Sequence, residues 1–215
     1  MTVAILEFKD VWKTYGRGKT ESNALESINF SLEKNSLNLI LGPSGSGKST
    51  LLNIASLMDT PSQGKVFING KNVSNASKSD RSRIRLKEIG IVYQRANLFH
   101  YLNILENVML PMSVPNKNKA LEVLKTTGLT EINKSPQEIS ILGEQKAALS
   151  RAMVNDPLLI LADEPTGELG SNDTELMMDL MVNISGKYSV LIVSNNVDLT
   201  KYTDNVFSIK DGKLK

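Results

Sequence analysis

The chain has 215 residues, of which 40% are hydrophobic and 22% are charged, and this composition suits one globular domain with a buried core. Its formal net charge of +2 is too small to argue for nucleic-acid binding, and the absence of cysteine excludes disulfide bonds and Cys-ligated zinc. No apolar run approaches the ~20 residues that span a bilayer, and the first ten residues do not have the pattern of a signal peptide. Work at a membrane would therefore require another chain to span it.

Taken in chain order, strands and helices are expected to alternate. Strands are predicted at residues 3–12, 24–32, 37–41, 65–69, 89–93, 158–162, 190–193 and 205–209. Helices are predicted at residues 48–57 and 176–184, and within a broadly helical stretch, 94–153, whose clearest helix is 117–127. The basic residues of 77–87 are interpreted as a solvated helix face, with a binding patch as the alternative. Because strands and helices alternate, the pattern predicts an α/β fold with a largely parallel sheet.

A glycine-rich loop follows the strand at 37–41 and fits the pattern G-x-x-x-x-G-K-[ST] at every fixed position. Its residues are Gly42, Pro43, Ser44, Gly45, Ser46, Gly47, Lys48 and Ser49. The glycines let backbone N–H groups point at phosphate oxygens, and the following helix N-terminus adds partial positive charge. Lys48 is expected to reach the β- and γ-phosphates and the Ser49 hydroxyl to bind Mg²⁺. The alternative is an accidental Gly/Ser-rich turn.

Two acids support the nucleotide interpretation. Asp163 and Glu164 come directly after the apolar strand at 158–162. Asp163 is expected to hold Mg²⁺ directly or through water, and Glu164 is placed to polarise an attacking water as a general base. Two acids that simply cap a strand at the surface are the alternative, which the upstream phosphate loop disfavours.

With these motifs in place, almost the whole chain resembles ABC (ATP-binding cassette) ATPases, most closely the lipoprotein-release and macrolide-export group. The resemblance rests on residues 11–16, on Val92-Tyr93-Gln94, on residues 105–111, on residues 162–167 and on residues 208–213. It implies that Tyr15 stacks on adenine, with a half-buried strand tyrosine as the alternative, and that Thr50 belongs to the ATP site. It also implies that Gln94 contacts Mg²⁺ and the attacking water and reports the nucleotide state.

The family resemblance carries further expectations for the whole chain. Residues 1–215 would form one nucleotide-binding domain of P-loop NTPase type, with an antiparallel β subdomain and a helical subdomain at about residues 95–155. ATP would lie between two such subunits, identical or different, and an integral-membrane permease subunit would dock after Gln94. The chain would then be cytoplasmic and peripheral at the inner face of the cell membrane.

Three sequence elements depart from the family pattern. The signature L-S-G-G-[EQ]-Q corresponds to residues 139–145, in a register set by the downstream match at residues 149–152, so Ser140 is kept while Ile141 and Leu142 replace both glycines. A one-residue shift would bring Gly143 into play but would break the downstream match. Both new side chains are expected to occupy the space of a γ-phosphate. In the other two departures, Gly170 stands where the loop G-N-L-D has aspartate, and Asn195 replaces the switch histidine.

Asn195 can form a hydrogen bond with a phosphate but cannot carry a proton near neutral pH. ATP binding is therefore expected to be retained while hydrolysis is slow. The leading interpretation is an ATPase that energises a transporter. The alternative is a regulatory subunit in which ATP binding itself is the signal. The altered signature and Asn195 favour this alternative, whereas the retained Asp163, Glu164 and Gln94 favour the first interpretation. A DNA-repair ABC ATPase would need a long coiled-coil insertion for which 215 residues leave no room, and a P-loop kinase would not explain Tyr15 or Gln94.

Overall fold

The computed structural model describes residues 4–16 and 18–215. Along this part of the chain the strands are β1 Leu6–Tyr15, β2 Ser22–Leu32, β3 Leu37–Leu41, β4 Gln63–Ile68, β5 Lys71–Asn72, β6 Ile89–Val92, β7 Leu159–Asp163, β8 Ser189–Ser194, β9 Asn205–Lys210 and β10 Lys213–Leu214. The helices are α1 Lys48–Ala55, α2 Lys78–Glu88, α3 Ile104–Met109, α4 Lys117–Thr126, α5 Ile141–Met153 and α6 Ser171–Ser185. Residue 3, the predicted start of the first strand, lies outside the described residues.

The larger sheet has six strands in the order β10-β9-β3-β8-β7-β6. All neighbouring pairs from β9 to β6 are parallel, and only β10 returns antiparallel beside β9. The strands β3, β7 and β8 are buried along almost their whole length, because helices cover both faces of the sheet. The predicted α/β fold with a largely parallel sheet is confirmed.

The smaller sheet is antiparallel and has the order β2-β1-β4-β5. Its inner face packs with α1 and with one face of the large sheet in a single apolar cluster, in which Phe8 stacks on Phe30 with 4.8 Å between ring centroids. This sheet is the antiparallel β part of the cassette fold that the sequence predicts. The helix α2, which follows it, has no buried residue, as expected of a solvated basic helix.

The helices α3, α4 and α5 pack together beside the large sheet in a second apolar cluster. They break the stretch that the sequence predicts as broadly helical into separate pieces, because Pro111, Pro115 and Pro136 fall between them. Each helix begins at a side chain that caps its first N–H groups: Asn103, Asn116 and Ser140. None of the helices within the described residues has both the length and the apolar content that crossing a bilayer requires.

Candidate functional site

The candidate site is a cavity of about 680 Å³ at the carboxyl ends of the parallel strands. Leu41 of β3 pairs with Ser194 of β8, and Val193 of β8 pairs with Asp163 of β7, so these three strands end at one edge of the sheet. Open parallel sheets bind ligands outside this edge. The strand pairing therefore brings the glycine-rich loop and the two acids, which lie more than 100 residues apart in the sequence, to one place.

The glycine-rich loop wraps around the start of α1. Gly47 is the N-cap of α1 with φ of 106°, and a Cβ there would lie 2.6 Å from the carbonyl oxygen of Ala24. A Cβ at Gly42 would lie 2.4 Å from the carbonyl oxygen of Ile209. Only glycine fits these two positions, because the obstructing atoms belong to the backbone. A loop of this kind can turn its N–H groups toward the oxygens of a phosphate.

Lys48 lies in the first turn of α1 and is buried. Its Nζ donates hydrogen bonds to the carbonyl oxygens of Gly42 at 2.7 Å and Pro43 at 3.0 Å. The same Nζ lies 3.8 Å from Oε1 of Glu164. These contacts hold Nζ of Lys48 beside the glycine-rich loop, where a bound phosphate group would contact it. Ser44, Gly45, Ser49 and Thr50 line the same cavity, and the buried Ser46 Oγ has no hydrogen-bond partner within the described residues.

Glu164 follows β7 and faces Lys48 across the cavity. Its backbone is in the left-handed region, with φ of 47°, and its N–H donates to the carbonyl oxygen of Val193 at 2.9 Å. Its Oε2 accepts a hydrogen bond of 2.6 Å from the Ser194 hydroxyl. A glutamate held in the left-handed region is strained, and such strain is often found at functional sites.

Asp163 is the last residue of β7 and also lines the cavity. Burial raises the pKa of its carboxyl, the neighbouring charge of Glu164 raises it further, and a hydrogen bond from Ser49 and the charge of Lys48 oppose the rise. An acid that is costly to ionise when alone is well suited to a cation. The oxygen donors of Asp163 and Ser49 match Mg²⁺, which proteins bind through one or two carboxylates together with substrate phosphates.

Gln94 and Asn195 lie on the walls of the cavity, and both are exposed. Gln94 follows β6, and its backbone carbonyl accepts a hydrogen bond from the buried Gln145 of α5. Its side chain lies close to Gly167, where an added Cβ would be 3.2 Å from Nε2 of Gln94. The roles predicted for Gln94 and Asn195 stay predictions, although both residues lie where those roles need them.

Tyr15 lies at the end of β1 and is not among the residues that line the cavity. Its hydroxyl donates a hydrogen bond of 2.8 Å to Asp59, and Nζ of Lys13 lies 4.9 Å from its ring centroid. The residue is 43% exposed, and Lys13 lies over one face of its ring. Stacking of Tyr15 on a base stays a prediction.

The altered signature lies in the first turn of α5, outside this cavity. Ser140 is the N-cap of α5, and its Oγ accepts a hydrogen bond of 3.1 Å from the N–H of Gly143. Ile141 is 52% exposed, whereas Leu142 is 9% exposed and packs into the apolar cluster of the helices. The expectation that both side chains occupy the space of a γ-phosphate is wrong for Leu142, because successive helical residues point about 100° apart and the Leu142 side chain faces the core. Only Ile141 projects outward.

Several residues of the cavity were missed from the sequence. Ser22, Asn23 and Ala24 of β2, and Asp211 and Gly212 of the β9–β10 turn, line one side of it. The turn is fixed to the glycine-rich loop, because the Gly212 N–H donates to the carbonyl oxygen of Ser46 at 3.0 Å. The Asp-Gly pair of this hairpin was a usable turn signal. The contact between Ser194 and Glu164 was also missed, since it depends on strand pairing rather than on a local motif.

Together these groups can hold a polyphosphate beside a carboxylate. Backbone N–H groups and Lys48 supply positive charge, while Asp163 and Ser49 supply oxygen ligands for a divalent cation. Glu164 adds a carboxylate that faces the same space, with a hydrogen bond on Oε2 and the charge of Lys48 near Oε1. This set is suited to phosphoryl transfer to water.

Comparison with known proteins gives a consistent result over nearly the whole length. A family model described as ABC transporter matches residues 25–167. The lipoprotein-releasing system ATP-binding protein LolD of Wigglesworthia glossinidia brevipalpis is 39% identical over 221 residues, which cover 99% of this chain and 96% of that protein. The ABC transporter ATP-binding protein MJ1508 of Methanocaldococcus jannaschii is 37% identical over 218 residues, which cover 98% of this chain and 97% of that protein.

A solved structure has the same fold. The dimeric ATP-binding cassette MJ0796 of Methanocaldococcus jannaschii, bound to ADP and phosphate after hydrolysis, matches with a TM-score of 0.87 and 33% identity. The match covers 98% of this chain and 97% of that one.

Proposed function

Because this chain belongs to the ABC transporter family of ATP-binding proteins, we propose that it binds ATP with Mg²⁺ and uses hydrolysis to energise a membrane-embedded permease partner. The observation that carries the proposal is the single cavity in which the glycine-rich loop, Lys48 and Glu164 meet. The similarity to LolD favours a transporter of the lipoprotein-release or export type. The cassette acts as a dimer, in line with the dimeric cassette that it resembles.

The chain's own residues divide the work of hydrolysis. The loop N–H groups and Lys48 bind the phosphates and offset the charge that develops on the transferred group. Asp163 and Ser49, with Gln94, would hold Mg²⁺, which when bound neutralises phosphate charge. Glu164 orients the attacking water and accepts its proton. Because the water must lie between the Glu164 carboxylate and the γ-phosphate, the short separation of Glu164 and Lys48 supports this assignment.

Turnover is proposed to be slow. Asn195 occupies the cavity wall where the family has a histidine, and an amide cannot share a proton with the phosphate. Ile141 adds an apolar side chain at the start of α5, where a partner's nucleotide would approach. Loss of one preorganised hydrogen-bond donor slows the chemical step by roughly 10²–10³-fold in well-studied enzymes. When several residues act together, the effects of losing each of them do not simply add.

The chain is proposed to work at the cytoplasmic face of the membrane, bound to its permease. This location rests on the family and on the similarity to LolD. ATP binding would draw two cassettes together and hydrolysis would release them.

The test pairs nucleotide affinity with single-turnover hydrolysis on the purified chain. Lys48→Ala is expected to weaken Mg-ATP binding by about 10- to 100-fold, the value of one charge-assisted hydrogen bond. Glu164→Gln is expected to keep the affinity and to slow hydrolysis by roughly 10²–10⁴-fold. Lys187→Ala is the matched control, because Lys187 pairs with Asp156 away from the cavity. Unchanged affinity in Lys48→Ala would refute the proposed site.

Slow turnover is tested by restoring the missing group. Asn195→His is expected to raise the single-turnover rate at least about tenfold without changing ATP affinity, because it returns a protonatable donor to the wall. A rate no faster than that of the unmodified chain would show that residue 195 does not limit hydrolysis.

A further inference from the structure

Two strand ends meet at Glu164. Asp163 of β7 is in register with Val193 of β8, so the next residues, Glu164 and Ser194, lie side by side. Ser194 is the last residue of β8 and is 1% exposed. Its hydroxyl is therefore part of the packed sheet.

The second hydrogen bond of the Ser194 hydroxyl shows that Ser194 is the donor to Glu164. The backbone N–H of Asn196 donates to Ser194 Oγ at 3.1 Å, so the oxygen is already an acceptor. Its one proton is then free to point at Oε2 of Glu164, 2.6 Å away. An N–H that donates into the hydroxyl also makes the hydroxyl a better donor.

The two oxygens of the Glu164 carboxylate have different partners. Oε2 accepts from Ser194, and Oε1 faces Nζ of Lys48 at 3.8 Å. Lys48 is also the group that would turn to a phosphate. Once Lys48 does so, the hydrogen bond from Ser194 is the side-chain contact that still fixes the carboxylate among the described residues.

We propose that Ser194 is a positioning residue for hydrolysis, which holds the Glu164 carboxylate in the orientation that activates water. This inference rests on the proposed ATPase function and adds to it a residue that does not touch the nucleotide. Ser194 acts through Glu164, so it should affect the chemical step and leave nucleotide binding unchanged.

The test is Ser194→Ala in the full chain, measured by Mg-ATP affinity and by single-turnover hydrolysis. Hydrolysis is expected to slow by about tenfold or more, the effect of removing one hydrogen bond to a charged group, with affinity within about twofold of the unmodified chain. Ser189→Ala is the matched control, because Ser189 is equally buried in β8 and its Oγ also accepts a backbone N–H, from Asn35. The control should lose stability without losing rate.

A double mutant separates positioning from a structural effect. In a Glu164→Gln background, Ser194→Ala should cause little further slowing, because the group that it positions is already disabled. The same tenfold loss in both backgrounds would overturn the inference, as would a wild-type rate in Ser194→Ala or a matching loss of affinity. If Ser194→Ala does not fold, Ser194→Cys keeps the size and supplies a weak donor; slow hydrolysis would support the inference and a wild-type rate would overturn it.

These outcomes are distinct from failure of the proposed function. If Lys48→Ala leaves ATP binding and hydrolysis unchanged, the site itself is wrong. If Lys48→Ala weakens binding as expected while Ser194→Ala hydrolyses ATP normally, the site stands and only the positioning role of Ser194 is refuted.

Discussion

The first turn of α5 provides a direct test of how the altered signature fits the fold. Ile141 and Leu142 are neighbours of similar size, yet Ile141 is 52% exposed and Leu142 is 9% exposed. Truncating each to alanine removes a comparable aliphatic side chain from one helix. The two substitutions should therefore differ mainly through burial.

The magnitudes follow from that difference. Leu142→Ala opens a cavity in the apolar cluster of α3, α4 and α5, and such truncations cost about 2–5 kcal/mol. Ile141→Ala removes a half-exposed side chain and replaces a β-branched residue with a better helix former, so its effect should lie within about 0.5 kcal/mol of zero. For a domain of this size, a loss of about 3 kcal/mol lowers Tm by about 6–12 °C.

Urea unfolding followed by circular dichroism measures both variants, with thermal unfolding as a second probe. The midpoint for Leu142→Ala should fall well below that of Ile141→Ala with no change in slope. The hydrolysis rate should respond to Ile141 and not to Leu142, because of the two side chains only that of Ile141 projects outward. Ile141→Ala should therefore raise the single-turnover rate of the dimer. Equal stability losses in the two variants would refute the assignment of Leu142 to the core.

Two further predictions test the sheet and the cation site. Gly90→Ala should cost about 1–3 kcal/mol in urea unfolding, because its Cβ would lie 2.4 Å from the carbonyl oxygen of Ala152, whereas Gly186→Ala, whose Cβ meets nothing within 4 Å, should not destabilise the chain. Burial and the charge of Glu164 raise the pKa of the Asp163 carboxyl above 3.8. Because the folded chain favours the protonated carboxyl, Asp163 contributes fully to the free energy of unfolding below pH 3.8, and this contribution is lost as the pH rises through the pKa of the folded state. Nucleotide-free Asp163→Asn should thus unfold at a higher temperature than the unmodified chain at pH 7, with a gap that closes toward acid pH; a gap independent of pH would contradict this.

Much of the fold could be predicted from the sequence because runs of apolar residues mark the buried strands. The strand predicted at 37–41 is β3 itself, since a strand buried on both faces leaves a continuous apolar run. The first strand was harder: the prediction ends it at residue 12, but β1 continues to Tyr15. Asp10 has φ of 49°, and the register with β2 shifts between Phe8 and Val11, so a bulge changes which residues point inward. Alternation alone does not reveal such a break.

Some features of the candidate site could likewise be predicted from the sequence, and others could not. The glycine-rich loop could be predicted because its geometry is local, and Gly42 and Gly47 lie where no other residue fits. The Ser194 contact could not, because 30 residues separate it from Glu164 and only strand pairing joins them. The inward turn of Leu142 likewise depends on which face of α5 meets the core. Sequence motifs thus identify groups that bind a ligand, and tertiary contacts identify the groups that hold them.

Of the positions that depart from the family pattern, Asn195 lines the cavity and Ile141 lies outside it. Lys48, Asp163 and Glu164 contact one another or the same cavity within one chain, so ATP binding should need no second copy. Ile141 lies outside that cavity and can affect a nucleotide only by meeting one bound to another cassette. We therefore expect ATP to bind at protein concentrations at which the chain is monomeric, with an affinity there that does not depend on residue 141. The hydrolysis rate should depend both on protein concentration and on residue 141.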